Sequence, residues 1–334
     1  MNANDYVIRL RQAMEDSQTP HFSSDYIARC CAYAESLLRQ GLPVLFDKAH
    51  VKHVLGMSTA RLCDYHEFTI PKRHGVRVIT APSCELKRRQ QWIYRNILVQ
   101  KEASQYTHGF VPMRSIVTNA SLHIGYPYTY CADISDFFPS ISWKQVFSIF
   151  LEMGYSESAA GALCDLCCYC GALPQGAPTS PYLSNMICRS LDEALGAMAK
   201  RHKCVFTRYA DGITLSSNQE QPEILNELEH ILKKFGFFIN WDKCRRYGPG
   251  QPKRITGLTV HDRVGVPKAF KRKLRQEIYY CQILGVTAHL ENIRAVRSIH
   301  YREHLYGQAY YVKMVEPELG KYFLDELSKI DWPE

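Results

Sequence analysis

Nowhere in the 334 residues do about 18 apolar side chains follow one another without interruption, so no segment has the makings of a membrane-spanning helix. The first residues, Met1-Asn2-Ala3-Asn4-Asp5, carry neither the basic nor the apolar region of a signal peptide. A cytoplasmic protein without a membrane partner is the expectation. There is no internal repeat or low-complexity tract, which removes solenoids and arrays. With 46% hydrophobic and 12% aromatic residues the chain is not disordered, and its length allows one large domain or two or three lobes. The 13 cysteines, in a long chain without an export signal, read as reduced thiols rather than a disulfide scaffold.

Acidic side chains are nearly absent from two stretches. Residues 72–101 hold eight Lys or Arg and one acid, Glu85; residues 243–275 hold eleven and one acid, Asp262. Together they gather 19 of the 41 basic residues and 2 of the 33 acidic ones, although the net charge is only +8. A lone basic run is usually a solvated helix face. Two of them flanking a set of acidic motifs point to a polyanion, and nucleic acid is the expected partner.

Apolar residues at three- and four-residue intervals predict a helix over 25–39, with Ser24 as its cap. Residues 67–82 read as two strands joined by a basic, Gly-containing turn. A helix over 85–101 follows, with Leu86, Gln90, Ile93 and Ile97 on one side. Helices are expected over 143–153, 156–169, 179–200 and 223–235, a hairpin over 204–216, and short strands over 237–240 and 254–260. From Pro267 onward the pattern is mostly helical.

Three segments carry the chemistry. Cys131-Ala132-Asp133-Ile134-Ser135-Asp136-Phe137-Phe138-Pro139 reads as an apolar strand that delivers an acid and then bends at a proline. Leu173-Pro174-Gln175-Gly176-Ala177-Pro178 is a loop before a helix. Tyr209-Ala210-Asp211-Gly212 lies in the hairpin, with Asp211-Gly212 as the turn signal. Singly, an Asp after a strand is ordinarily a turn residue or a cap. As an ordered set they suit phosphoryl transfer to a growing strand, which uses two divalent cations about 3.5–4 Å apart. Magnesium takes oxygen ligands, and Asp133 and Asp211 on adjacent strands would supply them. Asp136, three residues further along, would point away from Asp133 and is the lesser candidate.

In order and spacing these segments resemble the palm motifs of reverse transcriptases, and over roughly residues 65–320 the chain is most similar to those of bacterial retrons. Ile70-Pro71-Lys72-Arg73-His74-Gly75-Val76-Arg77-Val78-Ile79 looks like the fingers segment of that family. His108-Gly109-Phe110-Val111 and Ser115 to His123, with Asn119-Ala120 inside it, resemble the segment ahead of the palm in retron enzymes. Ile255-Thr256-Gly257 matches a Val-Thr-Gly signature, with Ile for Val.

The resemblance implies an α+β right-hand polymerase. Residues 1–65 would form an N-terminal helical region, 66–130 fingers, 131–143 the first catalytic strand of an antiparallel palm sheet, 144–172 fingers and palm helices, 173–261 the rest of the palm, and 262–334 a helical thumb. Two Mg2+ ions would sit on Asp133 and Asp211. Lys72 and Arg77 would approach the deoxynucleoside triphosphate, and Phe138 would crowd the sugar 2′ position, though such a ring is as readily a core aromatic. Gln175 and Gly176 would line the nucleotide and template site, where glycine lets backbone come close. Lys243 would neutralise or protonate the leaving pyrophosphate. Asn119 and His123 would contact RNA, although His123 alone reads as a hydrogen-bonded structural histidine. In the thumb, Arg272, Arg275, Arg297 and Tyr301 would hold RNA by shape and backbone.

The family pattern has a second aspartate where this chain has Gly212, which removes one carboxylate from the metal pocket. The resemblance implies an RNA-directed DNA polymerase that copies its structured noncoding RNA into branched RNA-linked DNA for defence against phage, with an effector protein encoded nearby. The alternative is an inactive scaffold that binds RNA or the RNA-DNA product and restrains the effector. An intron-encoded enzyme is disfavoured because little chain follows the thumb. Among other motifs, Cys164-Asp165-Leu166-Cys167-Cys168-Tyr169-Cys170 has zinc-like spacing but helical periodicity, and a buried helix is the preferred reading. Of the aromatics between His300 and Tyr311, about half are expected to be core and the remainder to be available for stacking on bases.

Overall fold

A computed structural model of the chain describes residues 2–17, 22–57, 64–71, 76–99, 101–292 and 300–333. The chain divides into two compact units. The first comprises Met1–Phe110, Ile134–Ala194 and Glu229–Ile239; the second comprises Val111–Asp133, Leu195–Leu228 and Asn240–Glu334. No helix among the described residues is long and apolar enough to cross a membrane.

In the first unit several helices start where a serine caps them. Ser23, rather than the expected Ser24, accepts from the Tyr26 N–H and opens the helix Ser24–Arg39, which buries Ile27, Cys31, Ala34 and Leu37. Ser142 and Gln145 form a capping box at the start of Trp143–Glu152, and Ser156 caps Glu157–Cys167. Strands β1 (Tyr65–Pro71) and β2 (Val76–Pro82) pair antiparallel as predicted. Phe68 and Ile70 of β1 and Val76 and Val78 of β2 are exposed, whereas Thr80 of β2 is buried. After β2 comes the helix Cys84–Ile93, which continues as a π-helical turn over Tyr94–Leu98. Leu86, Gln90, Ile93 and Ile97 are buried together on its inner side, and Gln90 Nε2 donates to the Leu166 carbonyl at 2.8 Å. The expected single helix over 179–200 is two helices, Ser180–Ile187 and Arg189–Arg201, broken at Cys188.

The second unit is organised on a four-stranded sheet in the order β4-β5-β3-β6: β3 is Tyr128–Ile134, β4 Val205–Tyr209, β5 Gly212–Ser217 and β6 Ile239–Tyr247. Alternation fixes its register. Ile213 and Leu215 of β5 are buried, and so are Tyr130, Ala132 and Ile134 of β3. Strand β6 runs well past the expected 237–240; its outer half is mostly exposed and polar, so its sequence carries no apolar periodicity. Strands β7 (Lys253–Ile255), β8 (Leu258–Val260) and β9 (Val264–Gly265) make a second small sheet. Ile255, Leu258 and Val260 pack on Ala120 of the short helix Ile116–Ser121. Residues 254–260, read as one strand in the sequence, are two strands joined at Thr256 and Gly257, both with positive φ.

Four helices, Lys268–Leu284, Val286–Asn292, Tyr301–Val315 and Pro317–Ser328, close the chain around a core that includes Leu274, Ile278, Leu305, Val312, Phe323 and Leu327. The fold class is α+β with an antiparallel central sheet, as the sequence implied.

Candidate active site

Strand β3 brings Asp133 directly opposite Gly212 of β5, and Gly212 in turn pairs with Tyr209 of β4. That leaves Ala210 and Asp211 as a two-residue hairpin loop. The loop therefore lies one residue earlier than the Asp211-Gly212 turn that the sequence suggests. Ala210 takes the left-handed conformation, with φ of +56°, whereas Gly212 is an ordinary strand residue whose φ is not positive. Glycine's conformational freedom is thus unused at 212. A β-carbon there would lie 3.3 Å from the Tyr209 carbonyl oxygen and 3.6 Å from Asp133 Oδ1, so a side chain fits after a slight adjustment.

Asp133, Asp211 and Gly212 line a cavity of about 400 Å3 together with Lys243, Arg245, Arg254 and the Thr256-Gly257 turn. Lys243 Nζ is 3.0 Å from Asp133 Oδ2. Arg245 donates through Nη1 to the carbonyls of Asp242 and Cys244, which ties its guanidinium to its own strand. Thr256 Oγ1 donates to the Ile116 carbonyl at 3.2 Å, anchoring the turn. Burial, and then the Asp133 charge, push the Cys244 thiol up; burial pushes Cys131 up to about 12, so both sulfurs stay protonated beside the carboxylate.

Two carboxylates suit magnesium, which keeps several waters and is commonly held by one or two carboxylates plus substrate phosphates. Among the described residues no group of three or more His, Cys, Asp or Glu converges, in keeping with a glycine at the third acidic position. The Lys243 ammonium already stands as a cation against Asp133. The residues present therefore fit the expected metal, with a reduced oxygen donor set.

The remaining candidates divide. Lys72 lies outside the described residues, and Arg77 is placed only as a residue of β2. Phe138, in the first unit, is half-buried with its ring 5.3 Å from Phe137 and 6.4 Å from Phe110. The Gln175 carbonyl accepts from the Thr80 N–H of β2 at 3.0 Å. Gly176, with φ of +146°, runs so close to β2 that a β-carbon would sit 2.7 Å from the Thr80 carbonyl oxygen. Here the close backbone approach that glycine permits is to a strand.

Three RNA-contact expectations are corrected by burial. His123 is fully buried; its Nδ1 bonds Ser216 Oγ at 2.9 Å and its Nε2 bonds Thr207 Oγ1 at 2.8 Å, tying β4 to β5 beneath the sheet. Asn119, one helical turn earlier, is also fully buried, and its side-chain amide has no hydrogen-bond partner among the described residues. Neither side chain presents a surface to RNA. Tyr301 is half-buried against the C-terminal core and donates its hydroxyl to Glu277 Oε2 at 2.6 Å, so it too is an internal residue. Arg297 lies outside the described residues. Arg272 and Arg275 are exposed on the helix Lys268–Leu284, where with Lys268 and Lys271 they line a second cavity of about 560 Å3. Of the later aromatics, Tyr306 and Tyr311 pack on the core while Tyr310 is exposed. Sequence reasoning left out Arg245 and Arg254 as cavity residues; their one signal was the basic run over 243–275.

A paired-strand carboxylate, a loop carboxylate and a lysine thus share one cavity. The chain belongs to the reverse transcriptase (RNA-dependent DNA polymerase) family, which residues 70–284 match. It is 33% identical over 267 residues to the retron Ec86 reverse transcriptase of Escherichia coli, covering 77% of this chain and 83% of that one. It is 31% identical over 340 residues to the retron Mx162 reverse transcriptase of Myxococcus xanthus, covering 87% and 68%. Among solved structures, telomerase from Candida albicans aligns over 81% of this chain and 64% of its own at 12% identity, with a TM-score of 0.46. The relationships by sequence make the chain an RNA-directed DNA polymerase of the retron type.

Proposed function

We propose that this chain copies part of a structured noncoding RNA into branched, RNA-linked single-stranded DNA, and that Gly212 slows the reaction. The observation that carries the reading is the shared cavity of Asp133, Asp211 and Lys243 on an antiparallel sheet. When bound, the two Mg2+ ions would activate the attacking hydroxyl and steady the triphosphate. Asp133 and Asp211 would hold them, and Lys243 would turn from Asp133 to the leaving pyrophosphate. Phe138 would exclude a 2′-hydroxyl, with Gln175, Gly176, Lys72 and Arg77 around the nucleotide. Arg272 and Arg275 of the C-terminal helices, together with Arg297, would grip the RNA backbone. By its resemblance to retron enzymes, the complex would act in the cytoplasm in defence against phage, with an effector protein.

The second reading, a non-catalytic scaffold, is favoured by one feature: with Gly212, the cavity has two carboxylates facing three basic side chains. Magnesium-dependent primer extension on an RNA template separates the two. The chain is assayed beside Gly212→Asp, with Asp133→Ala as the blank. Extension by either form supports the polymerase; extension by neither, on the cognate RNA, supports the scaffold.

A further inference from the structure

Arg208 is among the largest fully buried side chains, yet it belongs to the strand that leads into the active-site loop. It sits opposite Ile213, and its Nη1 turns back to donate to the Ala210 carbonyl at 2.9 Å. That carbonyl belongs to the peptide joining Ala210 to Asp211. Ala210 itself holds φ of +56°, a conformation that an L side chain rarely adopts and that glycine would adopt freely. A non-glycine residue remains there only if its surroundings hold it. A guanidinium is always charged and is stable in the interior only when committed to hydrogen bonds. Each half of the arrangement therefore accounts for the other.

We infer that Arg208 is the positioning residue of the active-site loop: it fixes the Ala210–Asp211 peptide plane and thereby aims the Asp211 carboxylate into the cavity. The inference rests on the polymerase reading for its purpose, but its geometry does not. With Gly212 withholding a third acid, the placement of Asp211 governs whatever affinity for cations the cavity has. An arginine before this loop would otherwise read as a polar strand residue facing solvent, and its burial is visible only in the fold.

The test compares Arg208→Met, which removes the donor, with Arg208→Gln, which keeps a shorter one. Hydrogen exchange is followed in the metal-free full-length chain. Exchange of the amides over residues 209–213 should rise roughly tenfold or more in Arg208→Met and less in Arg208→Gln, with β3 unchanged. In a Gly212→Asp background, Mn2+ binding read by electron paramagnetic resonance should weaken by roughly tenfold in the Met variant. Unchanged loop exchange in Arg208→Met would overturn the inference. So would a rise spread equally over β3, β4 and β5 in both variants, the mark of an ordinary packing residue. A Gly212→Asp parent that binds no Mn2+ would count against the metal site, and the exchange data would still decide the role of Arg208.

Discussion

Lys243 Nζ lies 3.0 Å from Asp133 Oδ2, so the carboxylate that would bind a metal already has a cation against it. Both side chains are substantially exposed, and such a pair is worth about 1 kcal/mol or less. Lys243→Met should therefore leave stability nearly unchanged and tighten Mn2+ binding by at most about fivefold. Primer extension by the same variant, in a Gly212→Asp background, should fall by about a hundredfold or more through loss of the group facing pyrophosphate. Tighter binding with slower turnover is the signature; a parallel fall in both would show Lys243 acting only by holding Asp133.

Gly212→Asp places a second carboxylate directly across the ladder from Asp133. Like charges so placed repel, at a cost of up to about 1 kcal/mol, which lowers Tm by roughly 2–4 °C in EDTA. Magnesium should restore the loss and carry Tm above that of the parent. Thermal melts with and without Mg2+ check this, and a variant melting alike in both would mean that the cavity holds no cation.

His123 and the pair Arg272 and Arg275 separate support from recognition. His123→Phe leaves the Thr207 hydroxyl without its imidazole partner and costs about 1–3 kcal/mol, while RNA affinity below the melting range stays within about twofold. The double change Arg272→Ala with Arg275→Ala should leave stability intact, weaken RNA binding and reduce the salt slope by roughly 1.5–2. Fluorescence titrations over a series of salt concentrations measure both.

Glu277 contributes to the acid stability of the C-terminal helices. Burial pushes its carboxyl up, but the hydrogen bonds from Tyr301 and His289 outweigh burial and hold it below its ordinary value. A carboxyl lowered in the folded state stabilises fully above its ordinary value of 4.5 and loses that contribution as pH falls through the folded value. Tyr301→Phe removes one donor and should cost about 1–2 kcal/mol at neutral pH. Its acid unfolding midpoint, followed by circular dichroism, should move to higher pH.

Much of this was legible in the sequence because burial writes itself as period. Leu86, Gln90, Ile93 and Ile97 mark one helix face, and all are buried. The alternation around Asp133 and Ile213 placed the two central strands of the sheet. What period could not show was where a tertiary contact overrides local preference. Glycine at 212 reads as a turn, yet Ala210 takes the positive φ and Gly212 pairs in the strand. His123, an RNA contact by the family resemblance and a structural histidine by its own residues, is a buried strut in the fold. The outer half of β6 is exposed, so its strand carries no apolar signature.

The contact between Gly176 and Thr80 has a mechanical consequence. The loop of Gln175 meets the backbone of β2 at Thr80, with a hydrogen bond between them and an Ile79 methyl alongside. A side chain at 176 would wedge this seam apart, so the spacing between the β1–β2 hairpin and the loop is set by the absence of a β-carbon at one residue.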